Sequence, residues 1–303
     1  MPRDIKNLAA SVHQRLLDRA RETDRPFNEL LQHFAIERFI YRLSKSDHAD
    51  RFILKGALML PVWSGSPSRP TMDIDCLGRM DNDIDLISSA VKEICKVASI
   101  PDGMTFDAES VSAIRIAEDT GFTGARIKLR GNLGNARISI QIDIGFGDVI
   151  VPGPIRFEYP GILDFPGAKL KGYTKESTIA EKFHAMVRLG ALNSRVKDFY
   201  DIRVLSDNFD FKGDTLADAV RKTFSHRNTP VTSNPTVFES SFGEDGGRNA
   251  QWRGFISRNR LKDMPAEFGD ITTSIRNFLG PVTSAVADEN AFRKIWKAPG
   301  PWR

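Results

Sequence analysis

The chain has 303 residues, 41% of them hydrophobic and 27% charged, which is enough for one or two domains with real cores and is an ordinary composition for a soluble protein. No apolar run approaches the roughly 18 residues of a membrane span, the start Met1-Pro2-Arg3-Asp4 lacks the apolar core of a signal peptide, and two cysteines, Cys76 and Cys95, are too few for a disulfide framework or a thiolate zinc site. The expected address is the cytoplasm with no membrane contact, and the net charge of +4 is unevenly placed along the chain.

Residues 4 to 45 read as two packing helices. Ile5, Leu8, Val12 and Leu16 mark one apolar stripe, and Pro26 is placed to open a second helix carrying Phe27, Leu30, Leu31 and Phe34. The stretch from Arg51 to Leu60 reads as a short strand turning into a helix through Gly56. Such a turn offers backbone N–H groups to a phosphate, and Lys55 beside it supplies charge. Residues 61 to 70 form a loop rich in Ser, Pro and Gly, with Arg69 close to the segment that follows.

That segment, Thr71 to Leu77, alternates with the period of a strand. Met72, Ile74 and Cys76 fall on one face and Asp73 and Asp75 on the other. Two like charges on one face call for a cation, and a hard metal such as Mg²⁺, with Mn²⁺ as a substitute, takes oxygen ligands while keeping a substrate phosphate. Two surface aspartates on a solvated edge strand fit the same spacing. Thr71 shares the aspartates' face, where a phosphate on its hydroxyl would add negative charge beside the carboxylates.

A helical pattern over residues 84 to 98 precedes two strands, 125 to 130 and 137 to 145. Ile138, Ile140, Ile142 and Ile144 line one face of the second, so Asp143 projects from the polar face. If that strand neighbours 71 to 77, three carboxylates converge, and Asp143 becomes a third metal ligand or a proton acceptor. A half-exposed strand facing water is the plainer alternative.

The Gly- and Pro-rich connector from 145 to 174 reads as a hinge between lobes. Thr178 to Glu181 has the pattern of a capping box, opening a helix with Ile179, Phe183, Met186 and Val187 inward. A second helix, about 196 to 205, puts Phe199, Ile202 and Leu205 inward and Asp198 and Asp201 together at spacing three. The short joint Asn193-Ser194-Arg195 brings Lys182 or Arg195 within reach of Asp198, which an inter-helix salt bridge explains as well as chemistry does. Residues 225 to 250 are expected as a long mobile loop and the last fifty as two or three helices. From Gly246 to Arg303 ten Lys/Arg stand against five Asp/Glu. Trp252, Trp296 and Trp302 interleave with them, which suits a phosphate backbone with bases to stack on or, equally, a solvated basic face.

Four segments in this order, Leu54-Lys55-Gly56-Ala57, Arg69-Pro70-Thr71-Met72-Asp73-Ile74-Asp75, Ala180-Glu181-Lys182-Phe183-His184-Ala185-Met186-Val187 and Arg195-Val196-Lys197-Asp198-Phe199-Tyr200-Asp201-Ile202, resemble the AbiEii/AbiGii toxin family over most of residues 27 to 205. These are nucleotidyltransferase toxins of bacterial abortive-infection and toxin–antitoxin systems. The resemblance implies an α+β, bilobed fold: a nucleotidyltransferase lobe over 1–170, with a mixed sheet and two leading helices, and a helical lobe over 171–303. It implies transfer of a nucleoside monophosphate from an NTP to RNA, at the tRNA 3′ end, blocking aminoacylation, and a cognate antitoxin protein. It assigns Asp73, Asp75, Lys182 and Asp198 to catalysis; Lys55, Gly56, Arg69, Thr71 and Arg195 are the residues expected at the nucleotide from their place beside these groups. Asp143 as a metal ligand rests on the strand pattern alone. The chain departs from the wider polymerase-β-like pattern in carrying Ala57 after Gly56 and in leaving 16 residues between Gly56 and Asp73. A small-molecule nucleotidyltransferase of the antibiotic-modifying sort and a non-catalytic NTP- or protein-binding module are the alternatives.

Overall fold

The computed structural model describes residues 7–65, 69–117, 123–261 and 263–303; Ile5 lies outside the described residues. The chain divides into two compact units, Met1–Gly147 with Ile155–Gly172, and Asp148–Pro154 with Tyr173–Arg303.

In the first unit α1 (Leu8–Thr23) starts where the Asn7 side chain accepts from the Ala10 N–H and stops at Asp24 in the left-handed region. Pro26 caps α2 (Phe27–Lys45) from just outside it. Almost every residue of α2 from Leu30 to Leu43 is buried, charged ones included. Burial of Arg42 is made tolerable by a two-pronged pair with Asp102, at 2.8 and 3.0 Å.

The sheet follows: β1 (Phe52–Lys55), α3 (Met59–Ser64), β2 (Asp73–Gly78), α4 (Ile84–Cys95), β3 (Met104–Ala117), β4 (Thr123–Leu133), β5 (Ala136–Phe146), β6 (Ile155–Glu158) and β7 (Lys169–Gly172). Its seven strands run in the order β3-β4-β5-β2-β1-β7-β6. The β2–β5 and β1–β7 pairs are parallel and the others antiparallel. Leu54, Ile74, Cys76, Ile127, Leu129 and the isoleucines of β5 form the apolar face, in one core with α2 and α4. Burial and the charge of Asp75 push the Cys76 thiol well above its usual range, which makes it inert core.

Two expectations change here. The connector 145–174 holds β6 and β7, strands of this sheet. Four-residue strands are too short for their alternation to stand out among glycines and prolines. β3, unexpected from sequence, carries a register shift between Asp107 and Ser112. The buried positions Met104, Phe106 and Ala108 are even-numbered, and the inward-leaning Val111 and Ala113 beyond the shift are odd. A bulge of this kind erases the period of two.

The second unit contains α5 (Lys175–Leu189), α6 (Val196–Asn208), β8 (Phe211–Lys212), α7 (Gly213–His226), α8 (Ser240–Glu244), α9 (Gly246–Asn259), α10 (Phe268–Ala287) and β9 (Ile295–Trp296). The whole fold is thus α+β: a mixed sheet with helices, then a mostly helical region. The cap of α5 is Thr174, whose side chain accepts from the Ser177 N–H, so Thr178 and Glu181 lie inside the helix. Asp148 is tied into this unit by Arg227, at 2.7 Å, and the Tyr173 hydroxyl donates to Glu181 at 2.9 Å.

Residues 225 to 250, expected to be a mobile loop, contain a 3-10 turn at Thr236–Phe238, all of α8 and the start of α9. Phe238 stacks on Phe183 and Phe242 on Phe199. Gly243 is there for packing: a Cβ would come within 2.9 Å of the Gly269 backbone. Two of the three tryptophans are also core, and Trp302 is half-buried. Trp252 is 0% and Trp296 5% exposed. Their indole N–H groups donate to Pro265 and Ser206 carbonyls, and that of Trp302 to Phe278. Rings held so are not a stacking platform for bases. Among the described residues no helix is long and apolar enough to cross a membrane.

Candidate active site

The polar face of the first unit's sheet is organised by register. Lys55 lies opposite Asp75, Asp75 opposite Asp143, and Asp143 opposite Arg126, one row across β1, β2, β5 and β4. The next row sets Asp73 opposite Gln141 and Gln141 opposite Lys128. Partners in a sheet share a face, and neighbouring strands lie about 4.8 Å apart. Two carboxylates are therefore neighbours across β2 and β5, with a cation at each end of their row, and Asp73 stands roughly 6.7 Å along β2 from Asp75. All three aspartates are half-buried.

Asp143 is strongly engaged. Arg126 donates to both its oxygens, at 2.8 and 2.7 Å, and Gln141 donates at 3.3 Å. The Arg126 pKa is raised by those hydrogen bonds against the opposing effect of burial, and the charges of Asp143, Asp73 and Asp75 add to the rise. Among the described residues no three His, Cys, Asp or Glu side chains converge as a metal set. Asp73 and Asp75 remain as a carboxylate pair, which fits Mg²⁺, since that ion is commonly held by one or two carboxylates while waters and substrate phosphates complete its octahedron.

β1 ends at Lys55, and a 3-10 turn, Gly56–Leu58, which opens on Gly56 with φ +70°, leads into α3. A Cβ at position 56 would overlap Oδ2 of Asp75. Glycine is needed there both by the left-handed backbone and by the carboxylate beside it. Ala57 is buried, so the place of a second Gly or Ser is taken by core packing. Thr71 and Arg69 are half-buried just ahead of β2, which begins at Asp73 rather than at Thr71. The Thr71 hydroxyl lies 3.4 Å from the Asp73 carbonyl oxygen and Arg69 Nη1 3.4 Å from that of Pro70.

The second unit holds its own cluster. Lys182 Nζ of α5 is 2.8 Å from Asp198 Oδ1 and 2.8 Å from Asp201 Oδ2 of α6. Arg195 Nε donates to Asp198 Oδ2 at 2.7 Å. The Asp198 side chain is 1% and that of Asp201 0% exposed, while Lys182 retains 12%. Burial raises the Asp198 pKa, but the Lys182 and Arg195 charges outweigh it and bring it to about 2. A carboxylate so engaged orients a lysine and is a poor base.

Arg126 and Asp201 complete these clusters and had no role assigned from sequence. Their signals were present: Arg126, Lys128 and Arg130 alternate on one strand, and Asp198 and Asp201 share a helix face.

The sequence profile of the family described as nucleotidyl transferase AbiEii toxin, type IV TA system, matches residues 38–277. Among solved structures, a protein from H. pylori provisionally described as a nucleotidyltransferase is 15% identical, with 86% of this chain and 95% of that one covered and a TM-score of 0.42. JHP933 from Helicobacter pylori is 14% identical, with 86% and 92% covered and a TM-score of 0.44. No curated protein sequence matches.

Proposed function

We propose, from the premise that this chain belongs to the AbiEii nucleotidyltransferase toxin family of type IV toxin–antitoxin systems, that it transfers a nucleoside monophosphate from an NTP to a hydroxyl of RNA, at the tRNA 3′ end. The acceptor oxygen bonds to the α-phosphorus, the bond to pyrophosphate breaks, and the hydroxyl proton leaves to a carboxylate or to water. The observation that supports this best is the Asp73–Asp75 pair on the polar sheet face beside the Gly56 turn.

Asp73 and Asp75 would hold Mg²⁺, or Mn²⁺, which when bound neutralises triphosphate charge and polarises the phosphoryl oxygens. Gly56 lets backbone N–H groups approach a phosphate, and Lys55, in the row of Asp75, balances its charge. Arg126 donates to both oxygens of Asp143 and aims it along the same row. In the second unit Lys182 is the candidate phosphate cation, oriented by Asp198 and Asp201, with Arg195 beside it. Arg69 and Thr71 precede the carboxylates and are assigned to the nucleotide. A cognate antitoxin is the expected partner.

The test is incubation with labelled NTPs, Mg²⁺ and total tRNA, with small-molecule acceptors in parallel. Label transferred to tRNA, and lost in Asp75→Asn, is the expected result. Label that appears only on small molecules, or transfer indifferent to Asp75→Asn, overturns the proposal.

A further inference from the structure

The polar face of β3, β4 and β5 carries basic side chains that the transfer step leaves unused. Lys128, Arg130, Arg137 and Ser139 line a shallow hollow of about 360 Å³. All four are exposed. Register places Arg130 opposite Ser139, Lys128 opposite Gln141, and Gln141 opposite Asp73, so the hollow opens on the same side of the sheet as the carboxylates. From Lys128 to Asp73 is two strand spacings, roughly 10 Å.

Arg130 pairs with Asp107 at 3.2 Å, an exposed contact of small worth. Among the described residues no carboxylate pairs with Lys128 or Arg137. Like charges gathered on one open sheet face repel, and among the described residues two of the three cations around this hollow, Lys128 and Arg137, have no carboxylate to balance them. Serine and basic side chains together are the usual partners of phosphate oxygens.

We infer that this hollow binds the phosphodiester backbone of the acceptor RNA and leads its end to Asp73 and Asp75. The inference rests on the nucleotidyl-transfer reading above. Position favours RNA over an acidic protein segment. An acceptor hydroxyl at the carboxylates must have its own preceding phosphates within a nucleotide or two, which is the distance to the hollow.

The experiment measures binding of labelled tRNA and of a short single-stranded RNA to Asp75→Asn protein, with and without Lys128→Ala and Arg137→Ala, from 50 to 200 mM salt. Both side chains are exposed, so circular dichroism is expected to show an unchanged fold. Loss of two phosphate contacts is expected to lower the slope of log affinity against log salt by about 1.4 for a single strand and to weaken binding roughly tenfold or more. In protein that retains Asp75 the same pair of changes should raise KM for RNA and leave KM for NTP in place. RNA affinity and salt slope unmoved by the double change would overturn the inference, as would a loss confined to binding of the antitoxin. If the wild-type chain binds RNA through Lys128 and Arg137 but transfers no label, the transfer reading fails while the backbone site stands.

Discussion

Asp198 shows how one buried group sets a pH dependence. Its pKa is about 2 in the folded chain against an ordinary 3.8, because Lys182 and Arg195 outweigh the effect of burial. A folded value below the unfolded one adds stability that is complete above about pH 4 and is lost as pH falls toward 2. The shift corresponds to about 2 kcal/mol. Urea unfolding is therefore expected to show wild type well above Asp198→Asn at pH 6, with the gap narrowing below pH 4. Lys182→Met leaves Asp198 and Asp201 without their shared cation, and a loss of about 3–5 kcal/mol is expected at pH 7. Its penalty should shrink in acid as the carboxylates take up protons, an outcome a purely catalytic lysine would not produce. Gly56→Ala is expected to cost at least about 1 kcal/mol from the left-handed backbone alone. Because the new methyl group meets the Asp75 carboxylate, transfer should fall more than melting temperature does.

At the scale of elements, the row across β1, β2, β5 and β4 is an electrostatic unit, with two carboxylates held between Lys55 and Arg126. Arg126→Ala removes one bracket and leaves Asp143 beside Asp75 with less compensation. Melting temperature should drop without metal and recover partly in millimolar Mg²⁺, with a larger Mg²⁺-induced shift than in wild type. An equal shift in the two proteins would argue that no metal sits near this row. Helix α2 carries a second electrostatic load. Glu37 is fully buried, its Oε1 has no hydrogen-bond partner, and Arg38 Nη1 is 3.4 Å away. Burial is the main cause of a pKa raised to about 7, only partly opposed by the Ile162 N–H and Arg38. Here the folded value lies above the unfolded one, so stability declines as pH rises from about 4.5 to 7 and is then level. Glu37→Gln should match wild type near pH 5 and exceed it at pH 8 by on the order of 2 kcal/mol, read by chemical denaturation.

For the whole molecule, two units with separate cores predict unfolding that departs from a single two-state step. Trp252, Trp296 and Trp302 all belong to the second unit, against Trp63 alone in the first. Tryptophan fluorescence therefore reports mainly on the helical unit and circular dichroism on both. Thermal transitions from the two probes are expected not to coincide, and Glu37→Gln at pH 8 should move the dichroism transition more than the fluorescence one.

Much of this was legible without coordinates where periodicity ran unbroken. The isoleucines of β5, the alternation of β2 and the inward stripes of α5 and α6 declare their faces because side-chain direction follows backbone period. The four motif segments carried the family as well, and the mixed sheet followed by helices is the architecture they implied. What sequence left hidden lay where the period was cut short or shifted: the bulge in β3, the four-residue strands β6 and β7, and the five-residue helix α8 with Gly243 inside it. Other outcomes depended on which neighbour a side chain met. Composition offered the basic, Trp-bearing end equally as a nucleic-acid surface or as a solvated face, and ring packing against phenylalanines put Trp252 and Trp296 inside. Asp143 pointed the expected way, but only strand register set Arg126 across from it, and Lys182 was within reach of one acid until helix packing gave it two. A residue's own chemistry and spacing determine the face it takes; the charge it finds there belongs to chain remote in sequence, and only the folded chain brings the two together.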